Sequence, residues 1–238
     1  HNALNRELSE AIIATFADLA ADEGVRAIVL AGSGRAFCAG VDLKALTDEP
    51  ELLSSGLGLG PESPIVVALE QCPQPIIGAV NGAAVTGGFE LALACDYLFA
   101  SEHARFADTH ARVGVVPGWG LSQRLPRLIG INRAKELSLT GNYLDAETAR
   151  DWGLVNRVVS DEALLPTCLE LARDIVSTEP VTRGEIRRIM DEGWDTTLAA
   201  GMEIENSANR AHARSQRPSE QVASRRQQIQ DRGRSQND

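Results

Sequence analysis

The chain has 238 residues, of which 43% are hydrophobic and 4% aromatic, and its formal net charge at pH 7 is −10. A chain of this length and composition can bury a sizeable core, which excludes intrinsic disorder. The acidic charge argues against nucleic-acid binding, and the sequence has no apolar run near the ~20 residues of a membrane span.

The cysteines give no sign of a metal site or of a disulfide framework. None of the four stands in a C-x-x-C pair or at zinc-ligand spacing from a histidine: Cys38, Cys72, Cys95 and Cys168. We therefore expect buried, reduced thiols, as is usual in cytosolic proteins, and a cytoplasmic location.

The first part of the chain alternates between helical and strand patterns. Apolar side chains recur three or four residues apart over 4–20, which predicts an amphipathic helix. Residues 26–31 (RAIVLA) and 75–80 (PIIGAV) are short apolar runs that are typical of buried strands, and 97–100 and 155–159 resemble them. Further helices are predicted near 61–72, 87–95, 120–129, 132–140, 145–152, 160–178 and 180–193. The alternation indicates an α/β fold.

The last stretch of the chain differs in composition from the rest. Residues 196–238 are polar, with seven arginines after Glu205, and helices over 197–212 and 219–230 carry little apolar surface. We therefore expect a core over residues 1–195. Residues 196–238 would form a helical segment that packs on this core or on a neighbouring subunit, with a frayed tail as the alternative.

Several common site motifs are missing from the sequence. It contains no G-x-x-x-x-G-K-[ST] phosphate loop, no H-E-x-x-H and no G-x-S-x-G. Gly32-Ser33-Gly34 follows a predicted strand, but Phe37 stands where a dinucleotide loop needs its third glycine. Nothing in the sequence fixes His103, Asp108 and His110 as metal ligands, so no metal site is expected.

Two glycine-rich segments, 36–44 and 81–96, are the best candidates for chemistry. The second follows a strand and enters an alanine-rich helix at Gly87-Gly88. The first N–H groups of a helix have no internal partner, so they form a ready site for an oxyanion. Glu90 follows Gly87 by three residues and so lies near the same face of the first turn. A carboxylate beside an oxyanion site suits proton chemistry next to a carbonyl.

Each of these features also has a purely structural explanation. An acid in the first turn of a helix is stabilised by the helix dipole and often does nothing else. Glycine pairs are common at turns from strand to helix. The pattern around Glu90 is therefore a candidate for catalysis and not yet an argument for it.

Three segments in order resemble the crotonase (enoyl-CoA hydratase/isomerase) superfamily. They are A-F-C-A-G-V-D-L at 36–43, P-I-I-G-A-V-N-G-A-A-V-T-G-G-F-E-L-A-L-A-C-D at 75–96 and A-R-F-A-D-T-H-A-R-V-G-V-V-P-G-W-G-L-S-Q-R-L at 104–125. The resemblance runs from His1 through at least Val159. It implies an α/β spiral of β-β-α units with a C-terminal helical appendage, whose first strand would precede His1. It also implies homotrimers or dimers of trimers, acyl-CoA thioester substrates, and no metal or redox cofactor, because CoA is part of the substrate.

The resemblance also implies roles for individual residues. The main-chain N–H groups of Val41 and Gly87 would hold the thioester oxygen, and Glu90 would take part in acid–base catalysis. Ala39 and Lys44 fall where the family contacts the CoA adenine and phosphates, although Lys44 could equally be an ordinary surface lysine. The full set of expected substrate-binding residues is Ala39, Asp42, Lys44, Gly88, Pro117 and Trp119. The acyl pocket would depend on the loop over 46–64.

The chain departs from the family at the second catalytic position. Hydratases of the family carry a second glutamate there, in a P-E pair, whereas this chain has His110 within Asp108-Thr109-His110. A histidine titrates near neutrality, with a reference pKa of ~6.5, and can act as an acid or as a base. His110 is therefore expected to be the partner of Glu90, and a histidine that only bonds in the pocket wall is the alternative.

The function implied first is a lyase that adds water to a trans-2-enoyl-CoA and gives a 3-hydroxyacyl-CoA. A double-bond isomerase, which needs only one base, is an alternative. Hydrolysis or C–C cleavage of another acyl-CoA is a further one. A protein that binds acyl-CoA without catalysis would also keep the oxyanion loops, because one scaffold of this kind carries many reactions.

Overall fold

The computed structural model describes residues 1–48, 63–215 and 218–235. The chain divides into two compact units, His1–Ser177 and Thr178–Asp238. This division falls 18 residues before the boundary expected after residue 195, because the predicted helix at 180–193 belongs to the second unit. The assignment of residues 196–238 to oligomerisation stays a prediction.

The described part of the first unit contains eight short strands. In chain order they are β1 (Ile28–Ala31), β2 (Ala36–Cys38), β3 (Ile76–Val80), β4 (Ala83–Val85), β5 (Tyr97–Ser101), β6 (Arg105–Ala107), β7 (Tyr143–Asp145) and β8 (Arg157–Val159). They form two four-stranded sheets, with the orders β1-β3-β5-β8 and β2-β4-β6-β7. All neighbouring strands are parallel except β6 and β7.

Nine helices occur in the described part of the first unit. They are α1 (Arg6–Ala21), α2 (Leu43–Asp48), α3 (Pro64–Glu70), α4 (Gly87–Leu93), α5 (His110–Val113), α6 (Leu121–Ile129), α7 (Ile131–Thr140), α8 (Ala146–Asp151) and α9 (Asp161–Val176). Asn5 caps α1, since its side chain accepts a hydrogen bond from the Leu8 N–H at 2.9 Å. Residues 61 and 62, at the start of one predicted helix, lie outside the described residues.

The first sheet has a core on each of its faces. Every residue of β3 is buried, and its side chains alternate between the two cores. Ile76 and Val80 belong to the larger core, which holds most of the buried apolar side chains. Ile77 packs on the other face with Leu164 and Cys168 of α9. This burial on both faces explains why the strand is a continuous apolar run in the sequence.

The second unit consists of helices in its described part. They are α10 (Pro180–Trp194), α11 (Leu198–Ser215) and α12 (Pro218–Ser235). The Glu179 side chain caps α10 by accepting from the N–H groups of Val181 and Thr182. The first two helices pack together and approach closely at two glycines, since a Cβ on Gly201 would lie 3.4 Å from Gly193 Cα.

The fold prediction is confirmed in class and corrected in detail. The four strands predicted from apolar runs are the four strands of the first sheet. The four strands of the second sheet were missed, because each is only three residues long, too short to show a strand pattern. The second sheet is the one that carries the candidate site.

Candidate functional site

Three loops meet at one edge of the second sheet. Strands β2, β4 and β6 are parallel neighbours, so the segments that follow them leave the sheet side by side. These segments are residues 39–41, 86–90 and 108–110. In α/β sheets the carboxyl edge of parallel strands is the usual place for a ligand. The fold thus brings both glycine-rich segments and His110 to one edge.

The first loop presents the Val41 main-chain N–H. Gly40 has a φ of +86°, and a Cβ there would lie 2.7 Å from Val85 O, so only glycine fits this turn without strain. Leu4 holds the loop on both sides of Val41, because its N–H donates to Gly40 O and its carbonyl accepts from the Asp42 N–H. Within the described part of the chain, the Val41 N–H itself has no hydrogen-bond partner.

The second loop presents the Gly87 N–H through a strained residue. Thr86 has a φ of +53° and a ψ of −114°, a conformation that is costly for a β-branched side chain. Two contacts hold it there: its N–H donates to Ala107 O at 2.9 Å, and its hydroxyl bonds to the Thr109 hydroxyl. The Gly87 N–H begins α4 and has no partner among the described residues.

The two free donors lie next to each other. A Cβ on Gly40 would lie 3.4 Å from Gly87 N, and a Cβ on Gly87 would lie 3.6 Å from Val41 Cγ2. The ring of Trp119 covers the same place, with its Cζ3 atom 3.3 Å from that Cβ position on Gly87. Two adjacent, unpartnered N–H groups at a helix start can bind an oxygen that gains negative charge.

Glu90 is fully buried and held by one of its two carboxylate oxygens. Oε1 accepts hydrogen bonds from the main-chain N–H groups of Trp119 at 2.8 Å and Leu121 at 3.4 Å, at the start of α6. Oε2 accepts no hydrogen bond from the residues that the structure describes, and it lies 3.5 Å from His110 Nε2. A buried carboxylate oxygen without a donor can accept a proton from water or substrate.

His110 lies between two carboxylates. Its Nδ1 is 2.6 Å from Asp108 Oδ1, and its main-chain N–H donates to the same oxygen at 3.2 Å. Its Nε2 faces Glu90 on the other side. Glu90, Asp108 and His110 are 0%, 1% and 3% exposed, so solvent screens these charges poorly.

The charges around His110 favour its protonated form. Burial alone would lower the pKa of the imidazole, but the hydrogen bond of Asp108 and the negative charges of Glu90 and Asp108 outweigh burial and raise the pKa to about 9. Burial would raise the pKa of Asp108, yet its hydrogen bonds from His110 and the nearby Ser138 hydroxyl hold that pKa below its usual value. The two carboxylates thus favour the imidazolium form of His110 over the neutral ring.

Of the other residues expected to bind substrate, one lies in the site and two have structural roles. Trp119 is 3% exposed and belongs to the site. The Asp42 carboxylate caps α2, since it accepts from the N–H groups of Lys44 at 2.9 Å and Ala45 at 3.3 Å. Gly88 serves packing, because a Cβ there would lie 2.1 Å from Cys38 O.

The expected CoA-contacting residues lie at the surface or only partly inside. Ala39 and Lys44 are exposed, and the Ala39 N–H donates to His1 O at 3.0 Å. Pro117 is half-buried. Of the loop over 46–64 that would shape the acyl pocket, residues 49–62 lie outside the described residues.

Sequence reasoning missed two contributors to the site. Asp108 was considered only as a metal ligand, although a carboxylate two residues before a histidine at a strand end could have signalled an orienting pair. The hydroxyl contact between Thr86 and Thr109 joins two loops that are 23 residues apart, and no local pattern reveals it.

The described residues contain neither a metal-binding cluster nor a membrane-spanning helix. No three histidine, cysteine or acidic side chains gather there in a way that could hold a metal ion. No helix in the described ranges is long and apolar enough to cross a membrane.

Comparison with known proteins agrees with this geometry. A family described as enoyl-CoA hydratase/isomerase matches residues 1–231. A probable peroxisomal enoyl-CoA hydratase of Arabidopsis thaliana is 43% identical over 212 residues, which cover 89% of this chain and 78% of that protein. The 1,2-epoxyphenylacetyl-CoA isomerase of Escherichia coli is 34% identical over 217 residues, with coverage of 90% and 83%.

Solved structures give the same result. The crystal structure of an enoyl-CoA hydratase from Bacillus anthracis superposes with a TM-score of 0.86 at 33% identity, covering 95% of this chain and 88% of that one. The sequence match and the structural match both extend over nearly the whole chain. The chain therefore belongs to the crotonase (enoyl-CoA hydratase/isomerase) superfamily.

Proposed function

We propose that this protein adds water across the double bond of a trans-2-enoyl-CoA. The observation that carries the proposal is the buried pair of Glu90 Oε2 and His110 Nε2, 3.5 Å apart, in a site that also presents the free N–H groups of Val41 and Gly87. A base, an acid and an oxyanion site are the groups that this addition requires. The acyl-CoA substrate class follows from the family.

The oxyanion site supplies the electrostatic part of the reaction. The thioester oxygen would accept hydrogen bonds from the Val41 and Gly87 N–H groups, which stabilises the enolate formed when water attacks. Removing one such donor from a well-studied enzyme costs ~3–4 kcal/mol, so we expect these two groups to dominate the lowering of the barrier. Both loops are fixed before substrate arrives, by Leu4 on one side and by Ala107 on the other.

Glu90 and His110 divide the proton transfers. Glu90 Oε2 takes a proton from water, the water oxygen bonds to the β-carbon, and the π electrons move into the thioester to give the enolate. His110 Nε2 then gives its proton to the α-carbon, which completes the 3-hydroxyacyl-CoA. Glu90 is now protonated and His110 neutral, and a proton that returns from Oε2 to Nε2 restores both groups.

A double-bond isomerase is the second candidate. The family description, enoyl-CoA hydratase/isomerase, covers both reactions. An isomerase moves one proton between two carbons of the substrate and adds no water. In that reaction Glu90 would act alone, and His110 would provide a positive charge beside it.

Two parallel incubations distinguish hydration from isomerisation. We expect wild-type protein with crotonyl-CoA in D₂O to give 3-hydroxybutyryl-CoA that carries one deuterium at the α-carbon. A 3-enoyl-CoA in a parallel tube tests isomerisation. Conversion of the 3-enoyl-CoA alone would replace the hydratase proposal with the isomerase one, and conversion of neither substrate would refute both.

We also propose that the chain assembles as a homotrimer or as a dimer of trimers. The family resemblance supports this assembly. Exposed apolar side chains on the second unit support it too, since Met190, Trp194 and Leu198 are 68%, 61% and 82% exposed. Large exposed apolar side chains of this kind are typical of surfaces that meet another protein.

A further inference from the structure

Asp108 makes a two-point contact with His110. One of its oxygens, Oδ1, lies 2.6 Å from the imidazole Nδ1 and 3.2 Å from the His110 main-chain nitrogen. Both groups act as donors to this oxygen, so Nδ1 carries a proton and Nε2 points to Glu90. The contact therefore determines both the direction of the ring and which of its nitrogens faces the site.

The surroundings keep Asp108 in place. It directly follows β6, which is paired on both sides, with β4 and with β7. The Ser138 side chain of α7 lies beside its carboxylate, and α7 packs on α5, the helix that begins at His110. A carboxylate that is 1% exposed and held in this way has little freedom to turn away from the ring.

The charges that face His110 come from two directions. Glu90 faces it from α4, and Asp108 faces it from the segment between β6 and α5. The element that packs on the other side, α7, contributes the Ser138 hydroxyl, which is uncharged. Burial disfavours an imidazolium, so its charge depends on these two carboxylates. Glu90 is needed as the base and changes its charge during the reaction, which leaves Asp108 as the constant counter-charge.

We propose that Asp108 is a positioning residue that holds His110 as an imidazolium, with its Nε2–H directed to Glu90 and to the substrate carbon that is protonated. The proposal rests on the proposed function only for its kinetic consequence, because the state of the ring exists without substrate. It makes His110 the acid of the pair. It also explains why a histidine can stand at a position where hydratases of the family carry a glutamate.

The direct test is an NMR titration of His110 in the full chain. The chain has four histidines, so ¹⁵N-labelled protein gives few imidazole signals, and loss of a signal in the His110→Gln variant assigns the right one. We expect His110 of the wild type to titrate near pH 9. A wild-type His110 that titrates at or below its reference value of about 6.5 overturns the proposal, whatever the variants do.

Two substitutions of Asp108 separate charge from orientation. Asp108→Asn keeps an oxygen that can accept the Nδ1–H but removes the charge, and it should lower the pKa of His110 by about 1–3 units. Asp108→Ala removes both and should also broaden the ring signals. The matched control is Asp161→Asn, which removes the carboxylate of an exposed pair with His103 and should leave His110 unchanged.

The pH dependence of hydration should follow the pKa of His110. The alkaline limb of the pH profile for hydration should move to lower pH in Asp108→Asn by the shift that NMR measures, with kcat lowered more than KM is changed. A purely structural role predicts lower activity at an unchanged pH limb, and that result would overturn the proposal. If NMR shows the shift but no enoyl-CoA is hydrated, the proposed function fails while the role of Asp108 toward His110 stands.

Discussion

At the scale of single residues, the site is a buried group of three charges. His110 lies between the carboxylates of Glu90 and Asp108, which favour its protonated form, and all three side chains are shielded from solvent. Main-chain N–H groups at the start of α6 help to offset the remaining negative charge on Glu90. The protonation of His110 therefore depends on the two carboxylates beside it.

The first prediction concerns the substitution that would restore the family pattern. On the family resemblance alone, His110→Glu would rebuild the pair of catalytic carboxylates. In the structure it would instead place three carboxylates together without a cation. We expect His110→Glu to lower hydration and stability, and Asp108→Asn added to it to recover part of both.

The measurement is kcat for crotonyl-CoA and the urea midpoint of the wild type, the single variant and the double variant. Asp108→Asn alone is the control, since it should be worse than the wild type in both assays. Full activity and stability of His110→Glu without the second change would show that Asp108 carries no charge at this pH.

The second prediction is the pH dependence of stability. Folding raises the pKa of His110 to about 9, so the protonated ring stabilises the native state. Its contribution to the free energy of unfolding is fully present below the unfolded pKa of about 6.5 and is lost as pH rises through about 9. The free energy of unfolding of the wild type, relative to that of His110→Gln, should therefore decrease as the pH rises from about 6.5 to about 9.

Urea unfolding at a series of pH values from about 6 to 10 measures this difference. The Gly184→Ala variant is the control, because it changes no titratable group and should run parallel to the wild type. If the His110→Gln curve is also parallel, folding leaves the pKa of His110 unchanged.

At the scale of elements, the two sheets differ in how far the sequence reveals them. The first sheet was predictable because strands such as Ile76–Val80 are buried on both faces and so are apolar throughout. The strands of the second sheet are three residues each and include Ala83–Val85 and Arg105–Ala107. Their existence depends on pairing with one another, which no local pattern shows.

The candidate site was predictable to a similar extent. The glycine-rich segments and the resemblance identified Glu90, Gly87, Val41 and His110, and the fold brings all four to one edge. The charge state of His110 could not be predicted, because it depends on a 2.6 Å contact and on burial. The reference pKa of histidine takes account of neither the contact nor the burial.

The third prediction tests the close packing of α4 on β2. A Cβ on Gly88 would lie 2.1 Å from Cys38 O, and main-chain atoms cannot move aside cheaply. Gly88→Ala should therefore lower the free energy of unfolding by about 1–3 kcal/mol or more, and it should reduce activity by displacing Glu90.

The matched control is Gly184→Ala in α10, where an added Cβ meets nothing within 4 Å. That change should raise stability by about 0.5–1 kcal/mol, because alanine favours a helix interior over glycine. Chemical denaturation of both variants measures the difference. A Gly88→Ala protein as stable as the wild type would show that α4 does not pack so tightly.

At the scale of the whole molecule, the chain consists of two compact units, and both expose large apolar side chains. The first unit, His1–Ser177, carries the two sheets and every residue of the candidate site. The second, Thr178–Asp238, exposes large apolar side chains on α10, among them Met190 and Trp194. An exposed apolar helix face is costly in water unless a protein surface covers it.

The fourth prediction concerns assembly. We expect the wild type to have the mass of three or six chains in sedimentation and light-scattering experiments. Met190→Asp places a charge in the exposed apolar face of α10 and should shift the mass toward that of a single chain. Asn132→Asp adds the same charge at an exposed polar position of α7 and should leave the mass unchanged. A monomeric wild type would contradict the proposed assembly.

The fifth prediction is the most direct test of the account, since the proposed chemistry depends on Glu90 as the base. The measurement is kcat for hydration of crotonyl-CoA by Glu90→Gln, with the affinity for a CoA ligand measured alongside by calorimetry. Glutamine keeps the size of the side chain and an oxygen for the Trp119 and Leu121 N–H groups, but it cannot take a proton. The account predicts that kcat falls at least ~100-fold while ligand affinity changes little. A variant that keeps more than about a third of wild-type turnover would contradict it, because such a result lies far outside the loss expected for a positioned base.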